Sequence, residues 1–386
     1  MRATIDILSK LVAFDTVSSR PNLALIEWVA DRLAGEGIDS WVQHGDQPGH
    51  ANLFATIGPP DVPGVMLSGH SDVVPVEGQQ WRTDPFVLTE ADGRLHGRGA
   101  VDMKGFIACV LAHAPRFRDA GLKQPVHIAL SYNEEADMHG MRILARHLAS
   151  VPLRPAACVI GEPTSMQVVV ANKGAAIYRV RVRGHSVHSS LRDAGVSAVE
   201  AAAELIGFIN RLGLALRDAG RDEAFEFPHT SVHVGMISGG TAHNITARDC
   251  EFVFEIRSLP GVSAATLLER IRDHAESVLL PPMRAIAPEC AISFEEIVDA
   301  PGLDERGNRS LAQALMPLCG CRAPRRVSFG TEAGFLVAAG VPTVVCGPGD
   351  IAIAHQPDEY VAIDQLDACS RFLGALTERL RASPLT

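Results

Sequence analysis

Up to about residue 170, short apolar runs alternate with helical patterns, and this alternation constrains the fold more than any other feature of the chain. Val65–Ser68, Val126–Ser131 and Ala157–Gly161 read as buried strands, and Phe106–Phe117 and Met138–Leu148 as the helices between them. Such an order implies an α/β fold with a mostly parallel sheet covered by helices, in which ligands collect beyond the carboxyl ends of the strands. Val341–Cys346 reads as another buried strand of the same kind. At the start, Ile5, Leu8, Leu11 and Val12 form one helical stripe with Asp6 and Lys10 between them. That is the pattern of an amphipathic helix, whereas a signal peptide has an unbroken apolar centre.

The pattern changes near Gly174. Ala176–Arg183 alternates apolar and basic residues, as a half-exposed strand does. A long Ala-rich helix from Val196 to about Leu216 follows, then strands Thr230–Ile237 and Cys250–Ser258 and helix Ala264–Leu279. The β-α-β-β-α-β order predicts a ferredoxin-like insert. Residues 1–175 and 290–386 are therefore expected to form one discontinuous domain, and 176–289 a second, inserted one. A length of 386 residues, more than one core usually holds, agrees with two domains.

Charge and cysteine usage exclude several classes. Lys+Arg 35 against Asp+Glu 45 gives a net charge of −10, with the acids dispersed, which speaks against a nucleic-acid partner. No run reaches the ~20 apolar residues of a membrane span. The 8 cysteines are scattered, and Cys319-Gly-Cys321 lacks the second pair of a zinc knot, so they read as reduced thiols of a cytoplasmic protein.

The chemistry-bearing residues gather at strand ends. His70 and Asp72 follow the Val65–Ser68 run, so that the imidazole can bind a metal with a carboxylate behind it; a turn histidine beside a capping aspartate gives the same letters. Asp102 sits in the glycine-rich stretch Gly97–Gly105 at the opening of a helix, where it suits either a residue bridging two cations or an N-cap. The stretch lacks the third glycine of a dinucleotide fingerprint and the Gly-Lys-Ser/Thr of a phosphate loop. Glu134 and Glu135 close strand Val126–Ser131, either as a solvated first helical turn or as one metal ligand and one proton carrier. Glu162 and His355 follow two further strands, so five potential N/O ligands fall at one edge of one sheet.

These motifs resemble the family of co-catalytic zinc deacylases and exopeptidases. The resemblance runs almost end to end, through Ser68–Asp72, Gly99–Gly105, Asn133–Glu135, Gly161–Ser165, Gly184–Ser190, Phe329–Glu332 and His355–Glu359. It implies a zinc-exopeptidase α/β domain interrupted by a lid that also serves dimerisation. It further implies two divalent metal ions, zinc foremost, with cobalt and manganese accepting the same ligand mix. Asp102 would bridge them, His70 and Glu162 would complete one site, and Glu135 and His355 the other. Glu134 would be the general base, with Asp72 behind His70. In the insert, His188 matches a histidine that reaches a neighbouring subunit's active site, and Asn244 and Arg257 match groups that hold a substrate carboxylate; Arg257 alone also reads as a surface strand charge. Gly330 and Thr331 belong to the same substrate-binding set. The activity implied is hydrolysis of a small-molecule N-acyl amino acid, N-acetyl-L-ornithine first, by a homodimer paired through the insert. An N-succinyl compound or another acyl amino acid is the nearest alternative, and a non-catalytic metal-binding homologue a more remote one. A serine hydrolase ranks below all of these, because the chain has no Gly-x-Ser-x-Gly elbow.

Overall fold

A computed structural model describes residues 1–385, which divide into two compact units. The first comprises Met1–Ala171, Leu303–Arg326 and the chain from Thr331 onward; the second comprises Asn172–Gly302 and Val327–Gly330.

The first unit is built on a mixed eight-stranded sheet. Its centre is parallel, with Val126–Ser131, Val65–His70, Ala157–Pro163 and Thr343–Gly347 side by side. Ala51–Ile57 and Ser40–His44 extend one side antiparallel, and Val169–Asn172 pairs antiparallel on the other. Every residue of Val65–His70 and Thr343–Gly347 is buried, which explains why Val65–Leu67 and Val344–Cys346 appear in the sequence as unbroken apolar runs. Helix Gly105–Asp119 packs against helices Arg2–Val12 and Ile363–Ala382. Leu8, Leu11, Phe106, Val110, Phe372 and Leu376 share the resulting core, each buried side chain stabilising by about 1.5–3 kcal/mol. A Cβ on Gly161 would lie 2.0 Å from Phe106 Cγ, so glycine is required where this helix presses on the strand that carries Glu162.

The second unit is a four-stranded antiparallel sheet in the order Ser231–Gly239, Asp249–Ser258, Gly174–Arg183, Ala291–Ala300. This is the strand order of a ferredoxin-like unit. Val180, Val182, Phe252, Phe254 and Ile256 pack beneath helices Ala198–Ala219 and Ala264–His274. Ser197 and Ser263 cap those helices by accepting the backbone N–H of Glu200 and Thr266. The opposite face carries a ladder in which Arg179 and Arg181 each pair with Glu251 and Glu295.

Two details depart from the sequence expectation. Strand Ala291–Ala300 pairs along Gly174–Arg183, so the inserted unit runs to Gly302 rather than to residue 289. The expected helix Ala264–Leu279 is α-helical only to His274, then widens over Ala275–Leu279 before helix Leu280–Ile286. Pro281 and Pro282 lack the N–H groups that a regular ladder would use there. Among the described residues no helix is long and apolar enough to cross a membrane. All eight cysteines are free thiols, and the sulfurs of Cys319 and Cys346 lie 3.5 Å apart.

Candidate metal centre

The parallel strands deliver their polar ends to one place. His70 is the last residue of Val65–His70, Glu162 lies one residue before the end of Ala157–Pro163, and Glu134 and Glu135 follow Val126–Ser131. Asp102 sits in the irregular turn Ala100–Lys104 that enters helix Gly105–Asp119, and His355 in the loop after Thr343–Gly347. His355 adopts a left-handed backbone with φ 65°.

The geometry centres on Asp102. Its Oδ1 is 3.0 Å from His70 Nε2, and its Oδ2 is 3.2 Å from His355 Nε2. Glu162 Oε1 is 3.8 Å from His70 Nε2, and Glu135 Oε1 is 2.9 Å from His355 Nε2. Three sets offer ligand atoms that all lie within 4.8 Å of one another: His70, Asp102 and Glu162; Asp102, Glu135 and His355; and His70, Glu134 and Glu135. The first two share Asp102, one oxygen facing each histidine.

The electrostatics agree with a place for cations. Burial, together with repulsion from neighbouring carboxylates, pushes Glu162, Glu134 and Glu135 above the usual carboxylate range, against the pull of His70. Hydrogen bonds to Asp102 and Glu135 raise His355 to about 10. Burial would lower His70, yet the hydrogen bonds to Asp102 and Asp72 hold it well above its ordinary value. Four carboxylates and two imidazoles crowded together are strained as an all-protein cluster. Divalent cations would relieve that strain, and the O/N donor set fits them.

Asp72 behaves differently from the simplest expectation. His70 Nδ1 lies closer to the Asp72 backbone carbonyl, at 3.0 Å, than to its carboxylate, at 3.6 Å. An Nδ1–H donated to that carbonyl makes Nε2, beside Asp102, the ring atom that would give up its proton to bind a cation. The Asp72 carboxylate instead accepts the backbone N–H groups of Glu134 and Glu135, at 3.1 and 3.2 Å, and the Ser18 hydroxyl at 2.6 Å. It therefore fixes the turn that carries both glutamates.

The residues expected to contact substrate fall into separate places. In the second unit, His188 is exposed, its Nδ1 accepting the Ser190 N–H at 3.2 Å, and the Asn244 carbonyl accepts the Ser189 N–H at 2.9 Å. Arg257 is half-buried, with Nε and Nη2 on Glu255 Oε2 at 3.1 and 2.9 Å, and a Cβ on Gly330 would stand 3.4 Å from its Nη1. Asn244 precedes strand Asp249–Ser258 and Arg257 lies near its far end, so the strand alone separates their surroundings by about 26 Å at roughly 3.3 Å per residue. One chain thus does not bring Asn244 and His188 to Arg257. Thr331, in the first unit, is buried and its hydroxyl accepts the Ala333 N–H at 3.2 Å.

Sequence reasoning passed over Arg98, Glu359, Gln79 and Glu332. Arg98 and Glu359 form a buried ion pair at 2.6 Å beneath Asp102. Glu332 is buried, accepts the Ser131 hydroxyl at 2.8 Å on one oxygen and is pushed up to about 7 by burial. Glu359 and Glu332 stand inside motifs that carried the resemblance, and Arg98 just before one of them, but nothing in the letters separates a buried carboxylate from a solvated one.

Residues 66–379 match the sequence pattern of peptidase family M20/M25/M40, and the chain belongs to that family. It is a metal-dependent hydrolase. An acetylornithine deacetylase from Myxococcus xanthus is 38% identical over 97% of this chain and 95% of its own length. Another from Proteus mirabilis is 34% identical over 95% of this chain and 92% of its own. The fold matches an M20 family metallo-carboxypeptidase from Sulfolobus solfataricus with a TM-score of 0.76 at 16% identity, over 99% of this chain and 100% of that one.

Proposed function

We propose that the chain hydrolyses the amide of an N-acyl amino acid, with N-acetyl-L-ornithine as substrate, using two divalent cations held across Asp102. The observation that carries this reading is the placement of the two Asp102 oxygens, one facing His70 and the other His355. His70 and Glu162 would hold one cation and Glu135 and His355 the other, with zinc the metal this reading favours. The relatives named acetylornithine deacetylase support the choice of substrate. When bound, such cations polarise the acyl carbonyl and make a water molecule acidic enough to ionise near neutral pH.

Glu134 takes the proton of the attacking water on its carboxylate and returns it to the amide nitrogen as that nitrogen leaves. Asp72 keeps this base in place through the backbone of Glu134. Arg257 suits the substrate carboxylate, which would take the place of Glu255 on its fork to be bound by both oxygens at once.

The active form is a homodimer paired through the inserted unit, and a second copy supplies His188 and Asn244. The strand length that separates them from Arg257 favours this arrangement, because an acyl amino acid is too short to bridge it. An unpaired edge is also present: Ser231–Gly239 ends the four-stranded sheet, with Met236 69% and Ile237 55% exposed. The eight free cysteines suit a reducing, cytoplasmic setting.

A panel of N-acyl amino acids offered to the metal-loaded protein, scored by release of free α-amine, tests this function. N-acetylornithine leading the panel is the expected result. An N-succinyl compound or acyl-methionine far ahead of it would overturn the substrate assignment.

A further inference from the structure

Beneath the candidate metal centre lies a set of polar side chains that touches no expected ligand atom yet ties two ligand-bearing segments together. Arg98 and Glu359, each with a side chain 1% exposed, pair at 2.6 Å. Glu359 Oε1 accepts the backbone N–H of Val101 at 3.0 Å and of Asp102 at 3.3 Å. The other guanidinium contacts run to the His355 loop: Nη1 donates to the Gln356 carbonyl at 3.4 Å, and Nη2 to Gln79 Oε1. Gln79 Nε2 in turn donates to the His355 carbonyl at 2.9 Å. The guanidinium also lies 5.0 Å from the centroid of the Trp81 ring.

We propose that Arg98, Glu359 and Gln79 are positioning residues that set the spacing between Asp102 and His355, and so determine how tightly the second cation is held. Placing a charged pair in a buried setting costs several kcal/mol per ion before the partners recover it, and an apolar pair of similar size would often be no less stable. Stability alone therefore does not account for the pair, whereas its hydrogen bonds reach the backbone of both ligand segments. His355 also needs a restraint from outside its own side chain. Its side chain is 48% exposed, so apart from the contacts of its Nε2 with Asp102 and Glu135 little packing restrains it. The Gln79 bond to its carbonyl and the Arg98 bond to the next residue supply the restraint. Glu359, four residues further on, then fixes the same loop against the Asp102 backbone.

The inference rests on the two-cation reading above, and the test separates their failures. Metal-free wild type, Q79A and E359Q are titrated with Co2+, following the visible absorption of the bound ion, and with Zn2+ against a chromophoric chelator. Thermal unfolding of the metal-free forms shows whether each is folded. Wild type is expected to bind two ions. Folded Q79A is expected to keep one site unchanged and to weaken the other about ten- to a hundredfold; folded E359Q, whose side chain holds the Asp102 backbone common to both sites, is expected to weaken that site at least as much, each with an altered Co2+ spectrum. Gln79 is only half-buried, so Q79A decides the matter alone if E359Q does not fold. Two sites of wild-type affinity and spectrum in folded Q79A would overturn the positioning role and leave the two-cation reading standing. Wild type that binds fewer than two ions would overturn both.

Discussion

Asp72 holds Glu134 by its backbone: the Asp72 Oδ1 accepts the Glu134 N–H at 3.1 Å, although 62 residues separate the two. The same carboxylate takes the N–H of Glu135 on its other oxygen, so one buried side chain fixes the turn carrying the proposed base and a proposed ligand. Replacing Asp72 by Asn puts an amide NH2 against one of these N–H groups. D72N is expected to lose about ten- to a hundredfold in kcat at saturating metal. Steady-state kinetics across a metal titration checks this, and kcat restored by added metal would show that Asp72 serves only metal affinity.

Glu134 itself gives a sharper contrast. E134Q keeps the shape and the backbone bonds but cannot accept a proton. Turnover is expected to fall about 10²–10⁴-fold while metal content stays unchanged. Elemental analysis alongside kinetics distinguishes this from lost metal, and normal turnover would remove Glu134 from the chemistry.

If a second copy supplies His188, defective chains can rescue one another. H188A and E134Q are each expected to be nearly inactive alone. Mixed and reassembled, half the dimers combine the two chains and one of the two sites in each is intact, giving about a quarter of wild-type activity. Activity that does not rise on mixing, with hybrid dimers demonstrated, would place His188 outside the partner's site. Charging the exposed edge, as in M236K/I237E, is expected to shift the protein towards monomer in sedimentation.

The strands and the ligand candidates were legible in the sequence because each pairs an apolar run with a polar residue at its carboxyl end, as in Val65–His70 and Ala157–Pro163. Other features depend on pairings that no local pattern encodes. Arg98 and Glu359 are 261 residues apart and look like ordinary surface charges until the fold buries them. Strand Ala291–Ala300 joined the insert only because it pairs with Gly174–Arg183. The distance between Asn244 and Arg257 likewise follows from the direction of one strand, which their spacing in the chain conceals.

Acid stability should carry the mark of His127. Burial lowers this imidazole to about 4, and its Nδ1 lies 3.0 Å from the Thr56 hydroxyl. The unfolded chain takes up a proton there near pH 6.5, the fold only near 4, so the unfolded state binds more protons in between. This group's contribution is therefore fully present above about 6.5 and is lost as pH falls towards 4, by up to about 3 kcal/mol. Urea midpoints measured from pH 7 to 4 on metal-free wild type and H127Q check it. The wild-type curve should fall more steeply, and parallel curves would rule this contribution out.

Two cations sharing Asp102 are the centre of the proposed chemistry. Metal content per chain, determined by elemental analysis of zinc-loaded and desalted wild type and D102A, tests it most directly. The expected result is two zinc ions per wild-type chain and at most one in folded D102A. A single ion in the wild type, or two retained by D102A, would contradict it.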